Sequence, residues 1–424
     1  MIRMSSDAPS VVPRVGMVGA GQLARMTHQA AVDLGVRLEV LADSEGDPAV
    51  LAGAPFRTGA PTSWDALEEL AGRCDVVTFD HERVPAELAA ALAGAGHRVF
   101  PGGHALRMAQ DKLAARSALG AAGFPVPPFR ALGEDPVAEV LDCGSEWGWP
   151  VVCKTIGGGY DGRGVVTVGP EDAVPVLAGA APGTWLAEAR VDIAVEVAVV
   201  AARTASGCWA PYPLVETVQQ DGICRELVMP ARVPDDLARQ AVALAGSVAD
   251  VIGAVGIVAV ELFVTVAGDL VVNELAVRPH NSGHATIEAC VTSQFENHLR
   301  AVLDLPLGST GMVAPAAATV NVLGPGDGSD PRSRLAGALA VDGARVHLYG
   351  KEAVPGRKVG HVTALGADHD SALAVARRAA AALDGRPAGR TVPAAGGPPP
   401  APARVASPPP AATAATCTRR EGPT

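Results

Sequence analysis

The sequence predicts an α/β chain of several folded units, and three stretches carry that prediction. Arg14 to Asp43 reads as strand, glycine turn, helix and second strand, which is a βαβ unit. Val151 to Val168 reads as two short strands joined by a glycine-dense loop. Val255 to Val266 and Leu270 to Val272 are apolar, β-branched runs folded about Ala267-Gly268-Asp269, which is a hairpin.

At 424 residues the chain holds two to three domains, each able to bury a core. Hydrophobic residues make up 48% and charged residues 19%, so most of it is expected to be globular. A net charge of −11 argues against a broad nucleic-acid footprint while leaving room for local basic pockets that hold phosphate. No membrane span is evident, and without a charged leader ahead of an apolar core the expected compartment is the cytoplasm. Cys74, Cys143, Cys153, Cys208, Cys224, Cys290 and Cys417 lack CxxC spacing and read as reduced thiols. Only Lys112, Lys154, Lys351 and Lys358 are lysines among 34 basic residues. Arginine serves as the general surface cation, so each lysine calls for its own explanation; a compact ammonium suits phosphate in a narrow pocket.

In chain order, residues 1–13 read as a loose arm. Arg14 to Val18 is a strand, Gly19-Ala20-Gly21 a turn, Gln22 to Leu34 a helix, and Val36 to Ala42 a strand ending at Asp43. This is GxGxxA followed by an acid, so an NAD-dependent oxidoreductase is a live alternative; the same glycines also let a backbone approach any phosphate or ribose. Val76 to Phe79 is a buried strand followed by Asp80-His81-Glu82 and a helix opened by Pro85, placing Glu82 and Gln22 at one rim. A helix from Ala105 to Leu119 carries Arg107 and Lys112, and the proline-rich segment after Gly123 is a hinge.

Strand Val151 to Thr155 carries Lys154 ahead of Gly157-Gly158-Gly159-Tyr160-Asp161-Gly162-Arg163-Gly164, and Val165 to Val168 follows as the paired strand. Such a loop can close its amides over phosphate oxygens. It is no Walker loop, because no GK[ST] follows. Trp185 to Ala187 leads to Glu188, and Ala194 to Thr204 carries Glu196; this suits an adenine edge read by backbone groups, with Glu196 on ribose hydroxyls. Tyr212 to Arg225 is an irregular hairpin with Gln219, and Pro234 to Ile252 an amphipathic helix. The hairpin from Val255 brings Glu261 and Glu274, thirteen residues apart, close in space, with Asn273 and Asn281 adding neutral oxygens. Hard oxygens without a complete cage are what nucleotide-borne magnesium requires. His280 and His284 are split by Ser282-Gly283 with no third soft ligand nearby, which disfavours zinc. Arg278 is a clamp on an anion. Thr292 to Leu303 reads as a helix, Ala318 to Leu323 opens a smaller unit of short strands, and Lys351 to His361 is a basic turn. After about Arg390 the composition collapses to Ala, Pro, Gly and Thr, a tail expected to be disordered.

Together, VGAGQLARM, TFDHERVP, LRMAQDKLA, KTIGGGYDGRG, PLVETVQQDGI, VELF, NELAVRPHNSGH, SQFENHLRAV and KEAVPGRKVGH stand in the order and at about the spacing of the N5-carboxyaminoimidazole ribonucleotide synthetases, the ATP-grasp enzymes of purine synthesis. The resemblance spans residues 14–365. GGYDGRG, RPHNSGH and PGRKVGH are particular to that branch, whereas the lysine and Asn-Glu pairs fit any ATP-grasp ligase.

The resemblance implies an ATP-grasp fold: a Rossmann-like pre-ATP-grasp domain at 14–122, the ATP-grasp domain at 123–312, and a small β-rich domain at 313–389, with the tail at 390–424. The implied reaction is ATP-driven carboxylation of aminoimidazole ribonucleotide by bicarbonate through carboxyphosphate. Implied ATP contacts are Arg107, Lys154, the flap Gly159, Tyr160, Asp161, Gly162, Arg163, Gly164 and Val165, then Glu188, Ala189, Arg190, Val191, Glu196, Gln219, Asn273 and Glu274. Around the ribonucleotide it implies Gln22, Glu82, Tyr160, Asp161, Arg278, His280, Lys351 and Arg357. Catalysis falls to Lys154, Arg278 and Asp161, the last taking a proton from the amine. Glu261, Glu274 and Asn281 would hold Mg2+ or Mn2+. A homodimer and a downstream mutase as pathway neighbour are also implied, with no nucleic-acid or membrane partner. Val277 stands in place of a frequent proline, Ile156 of a polar or basic residue, Ala189 of a second acid and Gln219 of an occasional histidine. Another carboxylate-amine or biotin-directed ligase of the same fold, and a silent nucleotide-binding regulator, are the remaining alternatives.

Overall fold

A computed structural model describes residues 12–158, 164–220 and 222–385. The first sheet contains β1 (Arg14–Val18), β2 (Arg37–Ala42), β3 (Phe56–Thr58) and β4 (Val76–Phe79), parallel in the order β3-β2-β1-β4. The helix Gln22–Leu34 packs Leu23, Ala24, Met26 and Ala31 inward and stops at Gly35, whose φ of 66° is the left-handed conformation that a helix end favours. Val15, Met17 and Val40 form the buried face beneath it. This is the βαβ reading, with β2 starting one residue later than expected.

Two antiparallel sheets follow. One holds β5 (Phe129–Leu132), β6 (Val151–Thr155), β7 (Val165–Val168) and β8 (Trp185–Ala189) in the order β5-β8-β6-β7, backed by the helix Pro136–Trp147. The other is nine-stranded, built from β9 (Ile193–Arg203), β10 (Trp209–Pro211), β11 (Val215–Gln220), β12 (Ile223–Met229), β13 (Gly256–Thr265), β14 (Leu270–Ala276), β15 (Ala316–Leu323), β16 (Ala344–Leu348) and β17 (Lys358–Gly366). Its order is β14-β13-β9-β11-β12-β15-β17-β16, with β10 against β9. Because β12 pairs with β15, the C-terminal strands continue the central sheet without a break. The helix Asp235–Ile252 covers β9 and β13, and His369–Asp384 covers β15 and β17.

Two expectations are corrected. The helix expected over Ala105 to Leu119 is two helices, Gly103–Gln110 and Lys112–Ala121, separated at Asp111 in extended backbone. Asp111 accepts from the Ala114 N–H at 2.8 Å and so caps the second helix, which an aspartate does better than it serves a helix interior. Cys208 is disulfide-bonded instead of a reduced thiol, while Cys74, Cys143, Cys153 and Cys290 are free. Spacing reveals cysteine pairs that are close in sequence, not those made by the fold. No helix among the described residues is long and apolar enough to cross a membrane.

Candidate active site

The acidic hairpin is built as its sequence suggested. Glu261 and Glu274 are direct cross-strand partners on β13 and β14, with a bulge immediately after Glu261. Like charges directly opposite one another are unfavourable. The nearest ring nitrogen, His280 Nε2 at 3.5 Å, brings no charge, because burial above all holds His280 well below its usual range. Glu261 is therefore pushed up to about 8 by burial, then by Glu274 and Glu196, with Lys358 and Arg278 opposing. Glu274 is more open and pairs with Lys112 at 3.2 Å. Asn281, next to His280, has a buried Oδ1 with no hydrogen-bond partner among the described residues. Two carboxylates and a spare amide oxygen fit a hard divalent cation. Among the described residues no group of three or more His, Cys, Asp or Glu forms a metal cage, so the other oxygens of its shell would come from a ligand.

Beside this hairpin sits a fully compensated charge. Glu188 on β8 is opposite Val152 and thus two residues from Lys154 along the same face of β6. Its Oε2 lies 2.7 Å from Lys154 Nζ and its Oε1 2.7 Å from Arg116 Nε. Lys154 Nζ also donates to Asn273 Oδ1 at 3.1 Å, and Arg116 Nη2 donates to the Asn273 carbonyl at 2.5 Å. Burial disfavours the Glu188 charge, but Lys154 and Arg116 outweigh it and hold the carboxyl below its ordinary value. Burial lowers Lys154, against the pull of Glu188. The cluster carries one net positive charge next to Glu274, a setting for a phosphate oxygen.

Other residues from the sequence reading take these places. Gly159, Tyr160, Asp161, Gly162 and Arg163 lie outside the described residues. The loop's two feet are described: Gly158 and Gly164 both have positive φ, and a Cβ on Gly164 would stand 2.4 Å from Thr155 Oγ1, so that foot requires glycine. Val165 and Arg107 are exposed, and so is Arg190, which is 3.8 Å from Asp192; Ala189 and Val191 are partly buried. Burial raises the pKa of Glu196 on β9, with Gln219 opposing.

At the rim of the first sheet, Glu82 Oε2 accepts from Arg278 Nε at 2.7 Å, joining the N-terminal unit to the loop after β14. Gln110 fixes that rim by donating to the carbonyls of Glu82 and Val84. Gln22 opens the helix beside it. Here the NAD reading fails. Asp80 Oδ2 accepts the Gly21 N–H at 2.7 Å, and a Cβ on Gly19 would fall 1.8 Å from Asp80 Oδ1. A carboxylate thus fills the place over the glycine turn that a pyrophosphate needs. Asp43, the expected ribose acid, is tied to Arg83 at 2.9 Å.

The C-terminal turn reaches the site through stacked rings. Lys351 lies over Tyr349, whose hydroxyl is 2.8 Å from His361 Nδ1, and His361 stacks on His284 at 4.6 Å. Arg357 is exposed. Lys358 is buried and acts electrostatically on Glu261, His280 and His284. The sequence reading left Asp80, Lys112, Arg116 and Lys358 out of the site. The scarcity of lysine could have found two of these; nothing set Arg116 apart from the other arginines.

Comparison with known proteins identifies relatives along most of the chain. The ribonucleotide synthetase preATP-grasp domain matches residues 12–110, the ATP-grasp domain 117–295, and the phosphoribosylaminoimidazole carboxylase C-terminal domain 317–375. The N5-carboxyaminoimidazole ribonucleotide synthase of Mycobacterium tuberculosis is 47% identical over 378 residues, covering 86% of this chain and 87% of that one. The crystal structure of an N5-carboxyaminoimidazole ribonucleotide synthetase in complex with ADP has a TM-score of 0.81 at 33% identity, covering 90% of this chain and all (100%) of that one. The Aspergillus clavatus synthase, solved with ADP and 5-aminoimidazole ribonucleotide, has a TM-score of 0.80 at 32% identity, covering 88% and 99%. On sequence and fold alike, the chain belongs to the N5-carboxyaminoimidazole ribonucleotide synthase family of ATP-grasp ligases.

Proposed function

We propose that the cleft between the flap, the acidic hairpin and the N-terminal rim carboxylates the amine of 5-aminoimidazole ribonucleotide with ATP and bicarbonate, releasing ADP and phosphate. The chain is an ATP-dependent ligase forming a carbon–nitrogen bond in purine biosynthesis. The observation that carries the assignment of residues is the pairing of Glu261 with Glu274 beside the Lys154–Asn273 contact. Glu261, Glu274 and Asn281 would hold Mg2+ or Mn2+, which when bound neutralises the β- and γ-phosphates. Lys154, kept in place by Glu188, directs its ammonium at the triphosphate, with Arg107, Gly164, Val165 and the flap residues 159–163 closing over it. Ala189, Arg190, Val191, Glu196, Gln219 and Asn273 line the nucleoside side.

Bicarbonate oxygen attacks the γ-phosphorus and gives carboxyphosphate, which water must not reach, so flap closure serves chemistry as well as binding. Arg278 offers its guanidinium to that anion, held in orientation by Glu82. His280 is neutral, and its Nδ1 accepts from the Ser282 N–H, which leaves the Nε2 proton facing the site. The amine of the ribonucleotide then attacks the carboxyl carbon, phosphate leaves, and Asp161 takes the amine proton. Gln22, Glu82 and Tyr160 surround the ribonucleotide, while Lys351 and Arg357 receive its 5′-phosphate. We further infer a cytoplasmic homodimer whose unstable carbamate product passes to a mutase.

Phosphate release from ATP, measured with and without aminoimidazole ribonucleotide and bicarbonate beside a nicotinamide absorbance control, tests this. Release should rise with both co-substrates. Equal release in the two arms removes the reading.

A further inference from the structure

The first sheet carries a second cavity, of about 530 Å3, at the end remote from the catalytic cleft. Arg14 and Arg37 open β1 and β2, whereas Gly19, Asp80 and Glu82 follow the carboxyl ends of β1 and β4. A five-residue strand separates the two ends by roughly 13 Å.

Arg14 and Arg37 are register partners. Partners in a parallel ladder send their side chains to the same face, so two exposed arginines leave the sheet side by side, and both line the cavity. Among the described residues neither makes an ion pair. Glu39, two residues along β2 from Arg37, is taken by Arg57 at 2.9 Å and Arg73 at 3.5 Å. Asp75 is engaged by the Arg14 backbone N–H at 2.8 Å. Adjacent like charges cost stability, and in a chain of net charge −11 a carboxylate partner could have been supplied. An anion between the two arginines removes that cost, and the guanidinium fork matches phosphate and carboxylate alike.

The other walls are mixed: Val36, Leu38, Pro55 and Cys74 offer apolar surface, the Glu39–Arg73 pair a closed charge, and His28 an Nδ1 that is buried with no hydrogen-bond partner among the described residues. The volume lies within the range of small-molecule sites, roughly 300–1,000 Å3, which are apolar with a few placed polar groups. We propose that this cavity is a second ligand site, separate from the catalytic cleft, for an organic anion of nucleoside-monophosphate size with a phosphate or carboxylate head.

The test is calorimetric titration of the full chain with its catalytic nucleotide site saturated by ADP and Mg2+. The probes are adenosine 5′-monophosphate for a phosphate head, citrate for a carboxylate head, and adenosine for the body alone. One of the two anions should bind at one per chain, and adenosine should not match it. Arg14→Gln/Arg37→Gln should weaken that binding at least tenfold with ATP turnover unchanged, and Arg357→Gln, at the ribonucleotide side of the cleft, should leave it intact. Relief of the repulsion should also raise the melting temperature of the double variant without anion and abolish its further rise with anion. The proposal is overturned by the absence of saturable binding for both anions, by binding indifferent to the double variant, by binding lost in Arg357→Gln, or by a double variant that melts lower than the parent.

Discussion

Glu188 and Glu261 are recessed carboxylates linked through Lys154, Asn273 and the adjoining Glu274, and the protein treats them in opposite ways. Glu188 is met by Lys154 and Arg116, each at 2.7 Å, and is held below its usual pKa. Glu261 faces a second carboxylate and a neutral imidazole, and is pushed up to about 8. A buried charge needs compensation wherever it sits. At Glu188 the fold supplies the cations, so that group is structural and aims Lys154. At Glu261 no cation of the fold makes contact among the described residues, and in the function proposed above a bound ion supplies the compensation.

The largest effect should come from the uncompensated side. Glu261→Gln/Glu274→Gln should cut carboxylation about a thousandfold, equivalent to about 4 kcal/mol of barrier, while leaving the ligand-free protein at least as stable as the parent. A double variant that is inactive and also melts lower would mean the two acids hold the fold, and the contrast would break. On the compensated side, Glu188→Gln leaves Arg116 and Lys154 buried without their anion. It should lose about 3–5 kcal/mol in urea unfolding.

The pH dependence of the metal-free protein sharpens the contrast, because the two carboxylates have opposite signs. Glu188 has a depressed pKa in the folded state, so its contribution is present above the unfolded value near 4.5 and is lost as pH falls below it. The advantage of the parent over Glu188→Gln should shrink in acid. Glu261 has a raised pKa, so its contribution is present below about 4.5 and is lost as pH climbs through about 8. Relative to Glu261→Gln, the parent should lose stability over that window by at most about 1.4 kcal/mol per pH unit, and Mg2+ with a nucleotide should remove the slope. Unfolding midpoints at fixed ionic strength from about pH 2 to about pH 9 report both. The smallest change should come from Lys112→Gln. Its partner Glu274 is 43% exposed, so unfolding free energy should move by about 0.2–1 kcal/mol.

Much of this contrast was legible in the chain. Strands Arg14–Val18, Val76–Phe79, Val151–Thr155 and Val165–Val168 and the helix Gln22–Leu34 fall where apolar patterning and glycine placed them. The hairpin about Ala267-Gly268-Asp269 set Glu261 near Glu274, because a tight turn fixes register over a short distance. Patterning did not show that Asp111 breaks a helix, because either conformation satisfies the apolar face, and only the cap decides. Nor did it show that Arg116, 72 residues before Glu188, would be its second cation.

The sequence by itself determined the strands, the glycine feet of the flap, the acidic hairpin and the family motifs, since each depends on residues within one or two turns of chain. Tertiary structure decided which charges meet. It put Asp80 over a turn that resembles a dinucleotide loop, gave Glu188 two cations in contact and left Glu261, among the described residues, with cations only at a distance. Those pairings join elements far apart in the chain, and the energy of a buried charge depends on every group around it, which no local pattern encodes.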